Sequence, residues 1–293
     1  LTGYFDFLHM SFGRPTILLV PKDADTLLIT TLIDAHLVKD NCPVDKIITW
    51  NDGVGNEWRD ELPKYIKKNV SVAIEKFKIS TLVLNYISSL YEQESFENIS
   101  PILDLIRMVK TEEELKIAKS AGKVAEAMMH AGKGAIGHNV PEYEVALATS
   151  QAGTRKAAEI LENEFKNTDI SPLIHFLQIM SSGKDLPKTH HRSSTKLIKD
   201  GEPVFLCFCG MTNFHKFKLG FDRTFWLKEI PDESQIKTYE TAVRSQKAAL
   251  SVLGPGVKAE DVHAAYADTI QSAGYPYPTF RCGRATGFSM LEE

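Results

Sequence analysis

A helix start at Thr111 constrains the fold of this chain more than any other feature of its sequence. Thr111-Glu112-Glu113-Glu114 has the pattern of a capping box, in which the Thr hydroxyl and the Glu114 carboxylate each satisfy a free backbone N–H. Small and apolar residues follow at helical spacing, namely Leu115, Ala118, Ala121, Ala125, Met128 and Met129. We therefore place a domain boundary just before this cap, with one domain over residues 1–108 and a second over 109–293.

The part of the chain before this boundary alternates strand and helix signals. Thr16–Val20 and Thr26–Thr31 are β-rich runs separated by P-K-D-A-D, which has the composition and length of a hairpin turn. Lys46–Trp50 and Thr81–Asn85 are predicted as further short strands, and a polar, helix-capable segment at residues 57–68 lies between them. This alternation predicts a small α/β domain.

The rest of the chain predicts helices on either side of strands. Pro141 suits a first helical turn, and Glu142 and Glu144 favour the positive end of the helix dipole. The predicted helices after the first are 139–161, 232–250 and 258–272, the last followed by Gly274 as its cap. The order helix, helix, sheet, helix, helix, sheet is a two-fold pattern, which predicts an α+β fold with helices on one side of an antiparallel sheet.

Two adjacent histidines mark the centre of this second domain. His190 and His191 end a Gly-containing loop, and the runs Val204–Cys209 and Phe221–Leu227 that follow are predicted strands. This arrangement is site-like, because histidine gains and loses a proton near neutral pH and the loop places an imidazole beside a sheet. The alternative is that one histidine is solvated and the other caps a hydrogen bond, and the residues alone leave both interpretations open.

Composition and charge limit the partners and the compartment. The chain has 25% charged and 43% hydrophobic residues, as soluble globular proteins do, and a formal net charge of -4. That net charge does not indicate binding to nucleic acid or to an anionic membrane. No apolar run approaches the ~20 residues of a membrane span. The cysteines show neither a disulfide framework nor a zinc pattern, which favours a reducing cytoplasm; they are Cys42, Cys207, Cys209 and Cys282. Since Leu1 is not a methionine and the pattern still runs at Glu293, we expect a fragment truncated at both ends.

Few other side chains combine in a way that suggests chemistry. A catalytic metal centre needs several converging Asp, Glu or His ligands, whereas Cys207 and Cys209 are more typical of small core residues, so no metal site is predicted. In Phe12-Gly13-Arg14 the Arg fork either holds a carboxylate or is a solvated surface side chain. Arg281–Gly287 is a loop whose glycines would let a ligand approach the backbone. We interpret three isolated histidines as structural: His175, His215 and His263.

Several of these segments resemble the creatinase, aminopeptidase P and prolidase family, whose catalytic domain is called pita-bread. The resemblance covers nearly the whole chain, and its most specific segments are R-M-V-K-T-E-E-E-L, V-P-E-Y-E-V-A-L-A, S-G-K-D-L-P-K-T-H-H-R and R-T-F. It implies a small α/β N-terminal domain of the creatinase type, a two-fold pita-bread domain and a homodimer. It also implies that His190 is the active-site histidine.

By the same resemblance, metal ligands of the peptidase branch are missing from the positions that the chain covers. One Asp ligand would stand at Cys207, a second three residues before R-T-F at Gly220, and a His ligand at Arg284. Two glutamate ligands would lie beyond Glu293. The resemblance therefore favours a metal-free branch without cofactors, similar to creatinase or ectoine hydrolase.

The resemblance to this branch also suggests how a small substrate would be held. Phe12-Gly13-Arg14 resembles the F-G-R of creatinase, whose Arg reaches the substrate carboxylate across the dimer interface, and Asp222 takes the position of an acidic substrate-binding residue. The predicted binding residues are Phe12, Arg14, Asp222 and Arg284. The expected activity is metal-independent hydrolysis of a C–N bond in a small carboxylate-bearing amidine or guanidine, with His190 as general base and acid.

The substrate and two other functions stay open. Gly183-Lys184-Asp185 and Arg281-Cys282-Gly283 look more like ectoine hydrolase than creatinase. A divergent Xaa-Pro aminopeptidase or dipeptidase is an alternative that a bound metal would decide, and a non-catalytic peptide-binding module is another. A retained His190 argues against the module, because a binding surface does not need proton transfer. The expected partners are a small-molecule substrate and a second copy of the chain, with no nucleic acid and no membrane.

Overall fold

The computed structural model describes residues 13–67, 70–92, 96–166, 170–174, 178–188, 190–208, 212–220 and 222–288. The chain divides into two compact units between Leu103 and Asp104. The boundary predicted after residue 108 lies a little beyond this division and remains a prediction.

The N-terminal unit is built on a three-stranded sheet. β1 (Ile17–Leu19) and β2 (Leu27–Thr31) pair antiparallel, and β3 (Lys46–Trp50) lies parallel to β2 on its other side. The helix α1 (Ala35–Asn41) makes the crossover between the two parallel strands. Every residue of β2 is buried, as expected for a central strand. The predicted hairpin and the predicted strand at Lys46–Trp50 are confirmed.

The helix predicted at residues 57–68 is shorter than expected. α2 (Trp58–Glu61) starts with a capping box between Glu57 and Asp60 and passes into one 3₁₀ turn at Leu62–Lys64. Pro63 has no N–H with which to continue an α-helix, so the helix ends early.

The strand predicted at Thr81–Asn85 is wrong, because these residues open the helix α3 (Thr81–Leu90). The Ser80 side chain caps this helix by accepting a hydrogen bond from the Val83 N–H. Val83 and Ile87, one helical turn apart, are both buried in the core of this unit. The run of aliphatic residues favours a strand locally, but the serine cap and the helical burial pattern outweigh that preference. Two short strands that flank α3, β4 (Val72–Ile74) and β5 (Phe96–Asn98), pair in parallel.

Two long helices follow α4 (Ser100–Met108) and pack on each other. The first is α5 (Glu112–Ala135), and both hydrogen bonds of the predicted capping box between Thr111 and Glu114 are formed at its start. The second is α6 (Glu142–Ile160), which continues through a π-helical turn. Both predicted helices are confirmed, but Pro141 has extended backbone (φ -71°, ψ 146°) and precedes α6 instead of lying in its first turn.

An antiparallel sheet lies against α5 and α6. Its strands are β6 (Gln178–Ser182), β7 (Pro203–Phe208) and, after a hairpin of β8 (Thr212–Phe214) and β9 (Phe217–Leu219), β10 (Asp222–Trp226). The spatial order is β10-β7-β6, and both pairings are antiparallel. Buried apolar side chains fill the space between helices and sheet, among them Val124, Met128, Met180, Leu206 and Phe208. The predicted α+β architecture with an antiparallel sheet is confirmed.

The helices α7 (Glu233–Val252) and α8 (Ala259–Ser272) pack on each other after this sheet. Trp226 joins α7 to β10, since its indole N–H donates to the Gln235 Oε1 at 2.9 Å and its ring packs edge-on against Tyr239. Gly274 after α8 has a φ of 89°, as the predicted cap requires. Over the described ranges, no helix combines the length and the apolar character needed to cross a membrane.

Candidate active site

His190 lies in a turn shortly after β6. The strand ends at Ser182, one 3₁₀ turn follows at Gly183–Asp185, and the chain then turns back. The His190 backbone has a φ of 61°, in the left-handed region that residues other than glycine seldom adopt, and its side chain is exposed. An exposed imidazole held in a turn is accessible to a small molecule.

His191 is held against β6 by two hydrogen bonds, one through its ring and one through its backbone carbonyl group. Its Nδ1 lies 2.9 Å from the Met180 carbonyl oxygen, and the Met180 N–H donates to the His191 carbonyl at 3.1 Å. Because a carbonyl oxygen only accepts, Nδ1 carries the proton. The two histidines therefore differ: His190 is exposed, whereas His191 is fixed by hydrogen bonds.

Asp222 and Cys207 lie directly opposite each other on two neighbouring strands of the sheet. They are register partners in the β10–β7 pair, which puts their side chains on the same face. Cys207 is buried and Asp222 is exposed. Although Asp222 as a residue is exposed, partial desolvation of its carboxyl group raises its pKa. The positive charges of Arg223 and Arg284 oppose the rise.

The loop that carries Arg284 is attached to the same sheet region. The Lys218 N–H in β9 donates to the Gly287 carbonyl at the end of the loop, at 2.6 Å. The Arg284 guanidinium is near enough to Asp222 to lower the pKa of its carboxyl group. Two predicted binding residues thus share one region. Over the described residues, no hydrogen bond or ion pair joins His190 to Asp222.

Arg14 forms an ion pair with Asp52 within the N-terminal unit. Its Nε donates to the Asp52 Oδ1 at 3.2 Å, and its Nη2 donates to the Oδ2. This is the two-point contact that a guanidinium makes with a carboxylate, and it raises the pKa of Arg14. The Arg14 fork therefore does hold a carboxylate, although one from its own chain. Its role in substrate binding remains a prediction, and Phe12 lies outside the described residues.

Two other predicted features can be placed. His215, interpreted as structural, packs with its ring tilted against those of Phe165 and Phe214, and desolvation lowers its pKa. The Nε2 of His263, also interpreted as structural, lies 3.0 Å from the Phe280 carbonyl oxygen. His175 and Cys209 lie outside the described residues.

The family of the chain follows from comparison with known proteins. Residues 116–293 match the model for metallopeptidase family M24, and residues 1–109 match that for the creatinase/prolidase N-terminal domain. The chain belongs to metallopeptidase family M24. Its architecture is therefore a creatinase-type N-terminal domain followed by the pita-bread domain of the M24 family, as the resemblance implied.

Relatives of this M24 chain carry different names. It is 28% identical to agropine synthesis cyclase of Rhizobium rhizogenes over 199 residues, which are 67% of this chain and 50% of the relative. It is 24% identical to creatinase of Bacillus sp. (strain B-0618) over 272 residues, 89% of this chain and 62% of the relative. The structure of an Xaa-Pro dipeptidase from Bacillus anthracis matches with a TM-score of 0.78 at 20% identity, over 96% of this chain and 74% of that chain. The chain thus spans only 50% and 62% of the lengths of the two curated relatives.

The described residues of this M24 chain do not fit the metal ion that the family name implies. In the part of the chain that the structure describes, no group of three or more His, Cys, Asp or Glu side chains could hold a metal ion. Cys207 and Asp222 share a face, but Arg284 adds a positive charge near Asp222 that would repel a divalent cation.

Glu142 is a residue of this region that the sequence interpretation missed. The sequence places it only at a helix start, where its charge favours the dipole of α6. In the structure its side chain is fully buried and bonded to residues on both sides of the His190 turn. Glu144 has the same local signal but is exposed, so nothing in the neighbouring residues distinguishes the two.

Proposed function

We propose that this M24 chain is part of a metal-independent hydrolase of C–N bonds, acting on a small amidine or guanidine that carries a carboxylate. The proposal rests on the position of Asp222, which lies opposite Cys207 and near Arg284. Where the peptidase branch is expected to have carboxylate and imidazole ligands, this chain has a thiol and a guanidinium. One carboxylate, Asp222, is then left to bind a cationic group of the substrate.

His190 supplies the acid–base chemistry in this proposal. Its neutral imidazole takes a proton from a water molecule as the water oxygen attacks the amidine carbon. The C–N bond to the leaving nitrogen then breaks, and the imidazolium gives the proton to that nitrogen. The exposure of His190 in its turn supports this role, because the imidazole must reach both the water and the leaving nitrogen.

Two side chains support recognition of a small substrate that carries both a cationic amidine or guanidine group and a carboxylate. The partly desolvated Asp222 carboxylate would regain a favourable environment by pairing with an amidinium group. The two-point contact of Arg14 with Asp52 supports Arg14 as a carboxylate binder, since a substrate carboxylate can take the place of Asp52. In this proposal the protein is a homodimer and Phe12 and Arg14 of the partner subunit complete the binding of the substrate.

An Xaa-Pro dipeptidase is the second candidate, and the names of the matching proteins favour it over the first. Dipeptidase and prolidase names predominate among both the curated relatives and the solved structures. The two solved structures among these are 20% and 21% identical to this chain, so they support the fold and not the substrate. A dipeptidase would need a metal ion held by residues other than those at positions 207, 220 and 284.

Turnover of three substrates by the purified protein separates the candidates: creatine, ectoine and an Xaa-Pro dipeptide. The proposal predicts hydrolysis of creatine or ectoine, and a loss of about 10²–10⁴-fold in His190→Asn. Hydrolysis of the dipeptide alone would establish the second candidate in place of the first.

A further inference from the structure

Glu142 joins the two ends of the chain segment that carries His190. We call residues 183–188 and 190–193 the His190 segment. The Glu142 Oε1 accepts a hydrogen bond from the Ser182 hydroxyl at 2.8 Å, immediately before the segment. Its Oε2 accepts from the N–H and the hydroxyl of Ser194, at 3.0 and 2.8 Å, immediately after it. A single carboxylate therefore holds together the residue before the segment and the residue after it.

Lys196 makes a second link between the same two ends. Its Nζ donates to the Ser182 carbonyl oxygen and lies 3.2 Å from the Oδ2 of Asp185. The other Asp185 oxygen is 2.5 Å from the Nζ of Lys188, two residues before His190. The link thus reaches from the residues after the segment to a buried carboxylate within it.

Backbone hydrogen bonds extend these links to α6. The Glu142 N–H donates to the Lys196 carbonyl at 2.9 Å, and the Tyr143 N–H donates to the Ser194 carbonyl at 3.0 Å. On the other side, His191 is bonded to Met180 in β6. The chain is therefore held both before and after His190, while the His190 side chain is left exposed.

The burial of Glu142 indicates that this link serves position more than stability. All three hydrogen bonds described for the carboxylate come from neutral donors, and its side chain is fully buried. Burying a charge without an ion pair is unfavourable, and an apolar side chain of similar volume is often as stable in such a place. An apolar side chain could not, however, hold two separate parts of the chain at a fixed separation.

We propose that Glu142 is the positioning residue of His190, and that its bonds to Ser182 and Ser194 set the turn from which the imidazole projects. The catalytic consequence rests on the proposed function. The positioning of the turn does not, because it can be measured without a substrate.

Hydrogen exchange of backbone amides in three variants tests the positioning. Glu142→Leu fills the space but accepts no hydrogen bonds, and Glu142→Gln keeps an accepting oxygen. Glu144→Leu removes an exposed carboxylate from the same helical turn and is the matched control. Exchange of the Met180 and His191 amides should become at least about tenfold faster in Glu142→Leu. A change of that size is expected because hydrogen bonds to a carboxylate are among the stronger ones in a protein, and their loss makes local opening easier. Exchange should change much less in Glu142→Gln and not at all in the control.

The amides of Val124 and Met128 in α5 report opening of the whole unit and serve as the reference. An acceleration relative to the wild type that is larger at Met180 and His191 than at these two amides supports the proposal. Equal acceleration at both places, or no acceleration at either, would overturn it. If Glu142→Leu does not fold, Ser194→Ala removes one donor of the link and is judged by the same comparison.

Kinetics on a substrate that the wild type turns over add a second readout. We expect kcat of Glu142→Leu to fall by about 10²-fold with little change in KM, because a small displacement of a reacting group has that effect, and Glu142→Gln to recover part of the loss. An unchanged kcat would overturn the positioning role where His190→Asn is inactive. A fully active His190→Asn would instead refute the proposed function, and the exchange data would then decide the positioning alone.

Discussion

Asp222 lies directly opposite Cys207 in the β10–β7 pair, and its carboxyl group has a pKa above the ordinary 3.8 because it is partly desolvated. A carboxyl group whose pKa is raised by folding stabilises the fold at a pH below its unfolded pKa. That contribution is lost as the pH rises through the folded value. At neutral pH the ionised Asp222 therefore lowers stability, as is common for a charge that serves binding.

Asp222→Asn should raise the melting temperature at neutral pH and abolish turnover of substrate. Asparagine has nearly the same shape but carries no charge that needs hydration. In thermal melts below pH 3.8 the gain should disappear, because the wild-type carboxyl group is then protonated in both states. A lower melting temperature of the variant at neutral pH would show that the carboxylate is a net stabilising partner of Arg284, contrary to this assignment.

Gly132 sets how closely α5 approaches its neighbours. A Cβ at this position would lie 2.7 Å from the Thr149 Cγ2 and 2.8 Å from the Leu206 Cδ1. Gly132→Ala should lower the free energy of unfolding by about 1–3 kcal/mol, because it overpacks a well-filled core. Gly134→Ala, in the same helix, is the matched control, because a Cβ at this position meets no neighbouring atom within 4 Å. It should stabilise the protein by up to about 1 kcal/mol. Urea unfolding measures both, and equal effects would show that the core adapts to the added methyl group.

The Asp185 carboxyl group should make stability depend on pH in an acidic window. Hydrogen bonds from Lys188 and then Lys196 lower its pKa from 3.8 to about 2. A carboxyl group whose pKa is lowered by folding stabilises the fold above its unfolded pKa, and this contribution is lost as the pH falls through the folded value. It is therefore complete above pH 3.8 and lost towards pH 2.

Lys188→Met should raise the pKa of Asp185 and flatten the decline of stability across this window. Lys184→Met, at an exposed position of the same 3₁₀ turn, should change neither. Carboxyl titration by NMR and unfolding at a series of pH values measure the two effects. Identical titration of Asp185 in both variants would mean that Lys188 does not pair with it in solution.

Substitution of the two histidines should separate catalysis from stability. His190→Asn removes an exposed side chain, so the melting temperature should stay unchanged while activity and the acidic limb of its pH profile are lost. His191→Ala has no side-chain donor for the Met180 carbonyl and should lower the free energy of unfolding by about 0.5–1.5 kcal/mol for this lost hydrogen bond. A His190→Asn variant that melts earlier and keeps its activity would assign His190 to the fold instead.

Signals between sequence neighbours predicted most of the fold. The Thr111 capping box and the Gly274 cap each appear where the sequence places them, because each depends on groups a few residues apart. The strand predicted at Thr81–Asn85 is wrong for the opposite reason. Its helix depends on Ile87, which lies outside the predicted run and is buried by other parts of the unit.

The candidate site depends on contacts between distant residues, so little of its geometry could be predicted. Glu142 bonds to Ser182 and Ser194 across 40 and 52 residues, and no local pattern specifies such pairs. The placement of Asp222 opposite Cys207 requires the register of two strands, which the sequence does not fix without the intervening hairpin.

In the proposed function, the chemistry at His190 uses no metal ion. The most direct test is the metal content of the purified, active protein, measured together with kcat/KM before and after exhaustive chelation. We predict that zinc, manganese and cobalt are present well below one ion per chain and that kcat/KM is unchanged by chelation. One or more tightly bound ions per chain, with activity lost on chelation and restored by the same metal, would show that the enzyme depends on a metal ion.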